Sequence, residues 1–405
     1  MQICSNFNSI YNLYAKYWGT IMKNVAILGG GASGLMCALN TDPEFKVTLF
    51  EKCGKLGKKI LKTGNGRCNI TNKYTSNHSY NTDISNFLSR FSPSITLDFF
   101  KSIGLCTYFD EEGRCYPISN MAESVLSVLV GEVKRRNNIV CEVGAKFVDI
   151  EKVDNGYNLI FEDGKKLFFD IVVVALGNEI ALDVFKKLDI RVKDFLPSLC
   201  SLKADTNKNL NGIRVRDVCV SCDDADFNEC GEILFKDGGI SGIVIFNLSA
   251  HLNWKNIKKT TIFIDFLPKI SKNDLIIELK ERKERLNSCS CSEFLIGMFA
   301  GALGDVLLSG AKIDFGKKVK DLNDEDIMRI VNQIKEFKLN VCGFEPNNQV
   351  CSGGVSLNGL DKNLQCKNHK GLYFIGEAVD VDGVCGGYNL QWAWTSGYVA
   401  GKSIK

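Results

Sequence analysis

Two glycine-rich segments near the beginning of the chain contain the residue types best suited to chemistry. The first, GGGASG at 29–34, fits the pattern G-x-G-x-x-G, whose backbone N–H groups bind the pyrophosphate of a dinucleotide. The second, EKCGKLGKKILKTGNGRCNITN at 51–72, combines an acid, lysines, glycines and an Arg-Cys pair. The first segment predicts nucleotide binding. The second fits a surface loop, a nucleotide clamp or part of an active site.

Neighbouring elements would hold the first segment in the geometry that a dinucleotide needs. The apolar run VAILGG (25–30) predicts a strand, ASGLMCALN predicts a helix, and KVTLFEK (46–52) predicts a second strand, which together make a βαβ unit. Within this unit Gly29 permits the tight turn, Gly31 lets the backbone approach the pyrophosphate, and Gly34 lets helix and strand pack closely. A structural βα turn without a ligand is the alternative interpretation.

The acid that ends the second strand predicts how the ribose is bound. Glu51 lies 22 residues after Gly29, where its carboxylate would accept hydrogen bonds from the ribose hydroxyls of adenosine. Two later segments favour FAD over NAD. GLYFIGEAVD (371–380) would bring an acid to the end of a strand, and IVVVALGN (171–178) resembles the Ala-x-Gly turn near the FAD phosphates. No second G-x-G-x-x-G follows a later strand, so the sequence does not predict a separate NAD(P)H domain.

Five separated motifs are similar to those of one bacterial family. They are LKTGNGRCNITN (61–72), GRCYPISN (113–120), GGISGIVIFNLS (238–249), CSGGVSLNGLD (351–361) and GLYFIGEAVDVDGVCGGYNLQWAW (371–394). In them the chain resembles the FAD-dependent oxidoreductases that include aminoacetone oxidase and the BaiN-type bile-acid reductase, the HI0933-like flavoproteins. The resemblance implies an α/β fold with a Rossmann-like FAD-binding domain of the two-dinucleotide-binding type, built from residues 22–190 and 341–405. A β-rich insertion (191–271) and a helical insertion (272–340) would interrupt this domain.

One segment departs from the family pattern. Members carry a Ser/Thr-Gly-Asp-Gly segment after the Ala-x-Gly turn, whereas ALGN here continues through EIALDVFKKLDIRV. Asn178 replaces the second glycine of that turn. The resemblance therefore does not by itself predict how the residues after this turn contact the cofactor.

The resemblance and the motifs together predict the residues of the site. We expect cofactor contacts from Gly29, Gly31, Ala32, Ser33, Gly34, Glu51, Lys52, Lys59, Gly64, Asn65, Gly66, Arg67, Cys68, Asn69, Phe147, Ala175, Gly177, Gly354, Gly376, Glu377, Gly387, Tyr388, Asn389 and Leu390. Arg67, Cys68, Tyr116 and Tyr388 are the catalytic candidates, with Arg114 as a further acid-base candidate. Arg67 could bind a phosphate or a substrate carboxylate. Cys68 could be redox-active, but it has no partner at short spacing, and packing near the ring is the alternative.

The predicted function is an FAD-dependent oxidoreductase that transfers a hydride at flavin N5 to or from a small organic substrate. An amine or aminoketone oxidase, an NAD(P)H-linked reductase and a dehydrogenase with another acceptor all stay open. In the reductase, NAD(P)H would bind transiently at the same face. The alternatives of another class are a flavoprotein whose main partner is RNA or another macromolecule, as in tRNA modification, and a non-catalytic FAD-binding sensor. The lysines of 255–283 alternate with acids, as on a solvated helix face, so we do not predict nucleic-acid binding.

Composition places the protein among ordinary soluble chains. Its 405 residues carry a formal net charge of +3 and no apolar run long enough to span a membrane, so we predict a cytoplasmic protein. The odd count of 17 Cys predicts thiols in a reducing compartment, buried in contexts such as Cys37 and Cys141. A zinc site would need Cys219-Val-Ser-Cys222 with distant cysteines, a spacing that does not favour a metal.

The remaining predictions concern secondary structure and the start of the chain. We expect helices at 85–103 and 119–137, with Ser119 as a candidate cap, and strands at 139–150, 156–162 and 166–175. Trp392 and Trp394 are expected to pack in the core rather than to take part in catalysis. The folded pattern begins abruptly at Met22, so residues 1–21 are expected to be an extension, either disordered or the result of a mis-assigned start codon.

Overall fold

The computed structural model describes residues 23–179, 182–346 and 350–405, and the predicted extension at 1–21 lies outside them. The strands are β1 (Asn24–Leu28), β2 (Lys46–Glu51), β3 (Thr71–Asn72), β4 (Thr107–Phe109), β5 (Arg114–Pro117), β6 (Ile139–Val143), β7 (Phe147–Val153), β8 (Gly156–Phe161), β9 (Lys166–Phe169), β10 (Ile171–Val174), β11 (Val192–Ser198), β12 (Leu202–Ala204), β13 (Arg214–Cys222), β14 (Phe227–Lys236), β15 (Gly239–Ser241), β16 (Thr260–Asp265), β17 (Phe337–Phe344), β18 (Val350–Val355) and β19 (Leu372–Phe374). The α-helices are α1 (Ala32–Asn40), α2 (Ser85–Leu88), α3 (Pro93–Ser102), α4 (Ala122–Arg135), α5 (Leu182–Lys186), α6 (Ile243–Trp254), α7 (Lys272–Arg285), α8 (Gly301–Gly310), α9 (Asp324–Lys335) and α10 (Tyr388–Ser403).

A parallel sheet in the order β19-β10-β1-β2-β6 forms the centre of the Rossmann domain. Its inner strands NVAIL and IVVV are almost wholly buried, as expected of parallel strands covered on both faces. α1 and α10 cover one face and cross closely, because a Cβ on Gly397 would lie 2.4 Å from the Ser33 carbonyl oxygen. The predicted Rossmann-like fold is confirmed.

A three-stranded antiparallel sheet, β7-β8-β9, packs against the central sheet through Phe50, whose ring lies 4.6 Å from that of Phe161. Two strand predictions were wrong in their extent here. The strand predicted at 139–150 is divided into β6 and β7, because Gly144 turns the chain with a φ of +74°. The strand predicted at 166–175 is divided into β9 and β10 at Asp170, whose carboxylate accepts the Asn24 N–H at 2.7 Å.

The helix predictions need similar corrections. The helix predicted at 85–103 is two helices, because Pro93 begins α3 and Ser92 caps it by accepting the Ile95 N–H. The helix predicted at 119–137 is α4, but its N-cap is Met121. Ser119 instead donates a hydrogen bond to the hydroxyl of Ser124 at 2.8 Å.

Strands β12, β15, β14, β13, β16 and β17 close into a six-stranded barrel. Helices α7, α8 and α9 pack against it, and their buried leucines and isoleucines belong to the same hydrophobic cluster as the barrel interior. We call residues 202–344 the barrel domain. The β-rich and helical segments therefore share one core, and β17, which follows the helices, completes the barrel.

α6 is the helix of the barrel domain that contacts the Rossmann domain. Its sequence IVIFNLSAHLNW is apolar around most of its circumference, which is typical of a helix buried on all sides. Its few polar side chains reach across the boundary. Asn253 donates to the Pro197 carbonyl at 2.6 Å, and Trp254 Nε1 donates to Asp382 at 3.0 Å. No helix among the described residues is long and apolar enough to cross a membrane.

Candidate active site

The glycine turn between β1 and α1 has two kinds of glycine. Gly29 has a φ of +109°, and a Cβ there would lie 2.3 Å from the Ala175 carbonyl oxygen. A Cβ on Gly34 would lie 1.9 Å from the Gly29 carbonyl oxygen. A Cβ on Gly31, by contrast, would meet no atom within 4 Å. Gly29 and Gly34 thus permit close packing, while Gly31 leaves open the space at the N-terminus of α1, where a pyrophosphate would bind.

Glu51 is held in place by the backbone around it. Its Oε2 accepts the Gly30 N–H at 3.0 Å, and its Oε1 accepts the Cys53 N–H at 2.8 Å. Each carboxylate oxygen has a further lone pair, which suits the two hydroxyls of a ribose. The adjacent Lys52 forms a salt bridge with Glu179, with 2.6 Å between Nζ and Oε2.

A second polar cluster lies where β10 and β19 end. Lys59 Nζ donates to Asn178 at 2.6 Å and to Glu377 at 3.1 Å, and Glu377 accepts the Cys351 N–H at 2.9 Å. Gly177 adopts a φ of +63° beside this cluster. The position at which the sequence departs from the family, Asn178, therefore lies beside two of the predicted cofactor residues.

Ser33 and Gly376 fit together at the base of the same region. A Cβ on Gly376 would lie 2.5 Å from the Ser33 hydroxyl oxygen. Ser33 is the second residue of α1, which begins at Ala32. Trp392 Nε1 donates to the Gly376 carbonyl at 3.0 Å, and Trp394 Nε1 donates to the Ile70 carbonyl at 3.0 Å. Both indoles are almost wholly buried, so the prediction that they pack in the core is confirmed.

The segment from Gly64 to Asn69 has an unusual backbone. Gly64, Asn65, Gly66 and Cys68 all have positive φ values, between +55° and +82°. Such angles are strained for residues other than glycine. A Cβ on Gly66 would meet no atom within 4 Å, so this backbone borders open space.

Asn69 marks the place where this segment meets the last helix. Its Oδ1 is buried and has no hydrogen-bond partner among the residues that the structure describes. A Cβ on Gly387, the N-cap of α10, would lie 2.8 Å from that atom. An orphaned acceptor beside a glycine and a helix N-terminus is a site prepared for a polar ring edge, which the isoalloxazine of FAD would provide.

Arg67 and Tyr116 form the side of the site that faces solvent. The Arg67 guanidinium carbon lies 4.3 Å from the centre of the Tyr116 ring, and its Nη2 lies 3.4 Å from the Tyr116 hydroxyl. Stacking of this kind holds a guanidinium in one plane. Arg67 is exposed whereas Tyr116 is buried, so of these two side chains the guanidinium is the one open to solvent.

The other predicted residues contribute through the backbone or by packing. Asn389 uses its side chain within the protein, since it accepts the Gly383 N–H at 2.9 Å and donates to the Gly383 carbonyl at 2.8 Å. Leu390 packs against the core beside it. The Phe147 ring stacks on Phe185, with 6.3 Å between the ring centres, and its main chain pairs with Phe161 of β8.

Gly354 and Tyr388 are two further residues that the sequence predicts to contact the cofactor. Gly354 has a φ of +111°, and a Cβ there would lie 2.6 Å from the Ala378 carbonyl oxygen. Tyr388 begins α10, and its ring lies edge-on to that of Tyr80, with 6.3 Å between the ring centres. Burial raises the pKa of the Tyr388 phenol, which makes it a weak acid at neutral pH.

Cys68 lies inside the protein rather than facing a substrate. It is fully buried, and this burial raises the pKa of its thiol to about 12. Since the thiolate is the reactive species, such a thiol is inert. The burial of Cys68 therefore favours packing near the ring over a redox-active role.

This assignment predicts which cysteines react in the native protein. Iodoacetamide at pH 8 should modify the exposed Cys106 and Cys342 within minutes and leave Cys68 unmodified until the protein is unfolded. Peptide mass mapping before and after denaturation measures this order. Alkylation of native Cys68 as fast as that of Cys106 would return it to the catalytic candidates.

The other cysteines differ partly from the sequence prediction. Cys37 is buried as expected, but Cys141 is exposed, because β6 is the edge strand of its sheet. Cys219 and Cys230 face each other on β13 and β14 and are paired through their sulfur atoms, a pairing that the sequence did not predict. In the described ranges no group of three or more His, Cys, Asp or Glu residues could hold a metal ion.

Two carboxylates near the site were not predicted. Asp382 Oδ2 accepts hydrogen bonds from Ser198 at 3.1 Å and from Trp254 at 3.0 Å, and burial raises the pKa of this carboxyl to about 6. Its place in the motif GLYFIGEAVDVDGVCGGYNLQWAW was a signal that could have identified it. Glu229, on β14, binds Asn247, and no feature of its local sequence distinguishes it.

Comparison with known proteins identifies the family of this chain. Residues 23–403 match the family described as HI0933-like protein Rossmann domain. The chain is 32% identical to the 3-dehydro-bile acid delta(4,6)-reductase of Clostridium scindens, over 94% of this chain and 99% of that protein. It is 26% identical to the ribosomal RNA dihydrouridine synthase of Escherichia coli, over 93% of this chain and 97% of that protein.

One matching solved structure is more distant in sequence than these relatives. A flavocytochrome c3 fumarate reductase in its open conformation is 12% identical, with a TM-score of 0.47 over 98% of this chain and 80% of that one. The family match itself covers nearly the whole described chain. This chain therefore belongs to the HI0933-like Rossmann family, and it is an FAD-dependent oxidoreductase.

Proposed function

We propose that this protein is an FAD-dependent ene reductase, which adds hydrogen across a C=C bond conjugated to a carbonyl group. The observation that carries the proposal is a reaction type shared by two relatives that match nearly full length. A 3-dehydro-bile acid delta(4,6)-reductase acts on double bonds in conjugation with a 3-oxo group, by its name. Conversion of uridine to dihydrouridine saturates the C5=C6 bond next to the C4 carbonyl, and a second relative carries that name.

The residues of the site are suited to FAD. The open side of Gly31 and the N-terminus of α1 would receive the pyrophosphate, and the fixed carboxylate of Glu51 would bind the ribose. Asn69 Oδ1 and the N-terminus of α10 would bind the polar edge of the ring. When bound and reduced by two electrons, the flavin would supply a hydride from N5.

A small conjugated ketone is the first candidate substrate, because the relative with 32% identity is named for one. The exposed Arg67 guanidinium, held flat on Tyr116, offers N–H donors to the carbonyl oxygen of such a molecule. A hydrogen bond there draws electron density away from the double bond and favours hydride addition at its far carbon. We infer that NAD(P)H binds transiently at the same face and supplies the reducing equivalents.

A uracil base in RNA is the second candidate substrate. Ribosomal RNA dihydrouridine synthases of Escherichia coli and Haemophilus influenzae are 26% and 25% identical to this chain, each over 93% of it. The exposed lysines Lys55, Lys58 and Lys62 lie in the segment that leads to Arg67, where they could bind phosphates along a strand. This candidate departs from the sequence prediction of no nucleic-acid partner.

One anaerobic experiment tests both candidates. The purified protein should show a flavin spectrum that NADPH or NADH bleaches. A 3-oxo-4-ene steroid, or uridine within single-stranded RNA, should then restore the colour with one equivalent of reduced product. A protein that binds no FAD, or a reduced flavin that neither compound reoxidises, would contradict the proposal. Reoxidation by oxygen with turnover of an aminoketone would favour the oxidase instead.

A further inference from the structure

The barrel domain directs one carboxylate toward the glycine turn that begins α10. Glu229 on β14 lies directly opposite Val220 on β13, and paired residues of antiparallel strands share a face, so Glu229 lies on the face of the fully buried Val220. Asn247 of α6 donates from Nδ2 to both carboxylate oxygens, at 2.8 and 3.1 Å. Glu229 is therefore oriented by a helix that belongs to the domain boundary.

The same amide reaches the Rossmann domain. Asn247 Oδ1 accepts the Cys385 N–H at 2.8 Å, and Cys385 precedes the Gly386-Gly387 turn that caps α10. One side chain thus fixes the distance between the barrel carboxylate and the turn that would face the flavin. Asn247 is 6% exposed, so water does not compete for these bonds.

Four titratable groups face this space from three elements. They are Arg114 of β5, Glu229 of β14, and Cys385 and Tyr388 at the start of α10. Burial raises the pKa of Cys385, Arg114 lowers it, and the Glu229 carboxylate raises it. The same charges act on the phenol of Tyr388, so Arg114 and Glu229 both lie within electrostatic range of Cys385 and Tyr388.

Only one of these groups is suited to give up a proton near neutral pH. The Arg114 guanidinium, paired with Asp110 and Glu112, stays protonated. The thiol of Cys385 and the phenol of Tyr388 both have pKa values raised by burial, which makes them weaker acids. Glu229 is the one carboxyl among the four groups, and carboxyl groups serve as general acids. Burial raises its pKa, and the hydrogen bonds from Asn247 oppose this in part.

We propose that Glu229 is the acid that protonates the substrate, with Asn247 as its positioning residue. This inference rests on the proposed ene reduction. The carbon distant from the carbonyl receives the hydride, and the electron pair of the C=C bond moves toward the carbonyl. The Glu229 O–H bond then breaks as the C–H bond at the adjacent carbon forms. The substrate is reduced by two electrons, the cofactor is oxidised, and water returns a proton to Glu229, with NAD(P)H as the reductant of each cycle.

The inference gives the barrel domain a chemical role. The Rossmann domain would hold the hydride donor, and the barrel domain would bring the proton donor to the other side of the substrate. Both hydrogens would then be delivered only when the two domains are docked through α6.

The test compares Glu229→Gln with Glu232→Gln. Glu232 lies on the same strand and pairs with Arg214 and Arg216, away from Asn247. Both variants should bind FAD and be bleached by NADPH at the wild-type rate. Reoxidation by the 3-oxo-4-ene steroid, or by uridine in RNA, should slow about 100-fold or more in Glu229→Gln only. The wild-type reoxidation rate should fall as pH rises and Glu229 loses its proton, and this dependence should be absent in Glu229→Gln.

A second readout needs no substrate. Loss of the Glu229 charge should lower the pKa of Cys385, so iodoacetamide should alkylate Cys385 at lower pH in Glu229→Gln than in the wild type or Glu232→Gln. Reoxidation within twofold of wild type, or an unchanged alkylation profile, would overturn the acid role. If the wild type itself reoxidises with neither substrate, the proposed function is wrong and the acid role falls with it.

Discussion

Gly31→Ala should fold normally and lose FAD, whereas Gly34→Ala should fail to fold stably. A Cβ on Gly31 meets no protein atom within 4 Å, but it would occupy the space at the N-terminus of α1 that a pyrophosphate needs. We expect its FAD affinity to fall at least about 100-fold, which corresponds to about 2.7 kcal/mol. A Cβ on Gly34 lies 1.9 Å from the Gly29 carbonyl oxygen, so α1 and β1 would have to separate.

Gly34→Ala should lower the free energy of unfolding by about 3 kcal/mol or more, because the added Cβ overpacks the core against backbone atoms that cannot move aside. Thermal unfolding of the apoproteins followed by circular dichroism measures it, and FAD titration measures the affinity of each variant that folds. Gly359→Ala is the control, because a Cβ there also meets no atom within 4 Å and the residue lies outside the predicted site. Wild-type FAD affinity in Gly31→Ala would exclude the predicted pyrophosphate position.

The second large effect should come from Asp382, the buried carboxyl at the boundary between the domains. Burial raises its pKa to about 6 from an ordinary value of 3.8. The folded protein thus binds this proton more tightly than the unfolded chain does. The contribution to the free energy of unfolding is therefore fully present below about pH 4 and is lost as pH rises through about 6. The loss amounts to about 3 kcal/mol, because each tenfold difference in proton affinity is worth about 1.4 kcal/mol.

Asp382→Asn should remove this dependence. The amide oxygen can still accept from Ser198 and Trp254, and its NH₂ group can donate to the hydroxyl of Ser352, which also lies beside this carboxyl. We expect a variant of similar stability to the wild type at pH 4 and greater stability at pH 7.5, by up to about 3 kcal/mol.

Urea unfolding followed by tryptophan fluorescence measures this difference, since Trp254 donates directly to Asp382. Asp237→Asn, at an exposed position, is the matched control and should follow the wild type at every pH. A wild-type protein whose stability rises between pH 4 and 7 relative to Asp382→Asn would show that the carboxyl is stabilised as an anion, contrary to its burial.

Asp382 and Glu229 are expected to affect different properties of the protein. Asp382 lies under the docked domains, in contact with α6 and β11, and its effect is on stability. Glu229 of β14 is bound by Asn247, which also accepts the Cys385 N–H before the glycine turn, and the effect of Glu229 is expected on the oxidative half of the reaction. Measuring both variants in both assays would separate the role of domain docking from that of proton transfer.

The sequence by itself was enough to predict the nucleotide-binding half of the protein. The glycine turn, Glu51 and the strand-helix-strand order follow from local rules, since the periodicity of apolar residues and the positions of glycine are properties of neighbours along the chain. The burial of Trp392 and Trp394 was also predicted from the sequence.

Only the tertiary structure brought together residues that are far apart in sequence. The segment that contains Arg67 meets Tyr116 across 49 residues, and Lys59 meets Glu377 across 318. Glu229 and Asp382 gain their environments from α6, which packs between two domains, and the pKa of a carboxyl group rises only when neighbours from elsewhere in the chain exclude water. Burial and long-range contact belong to the folded chain as a whole, and so no local pattern could have identified Glu229.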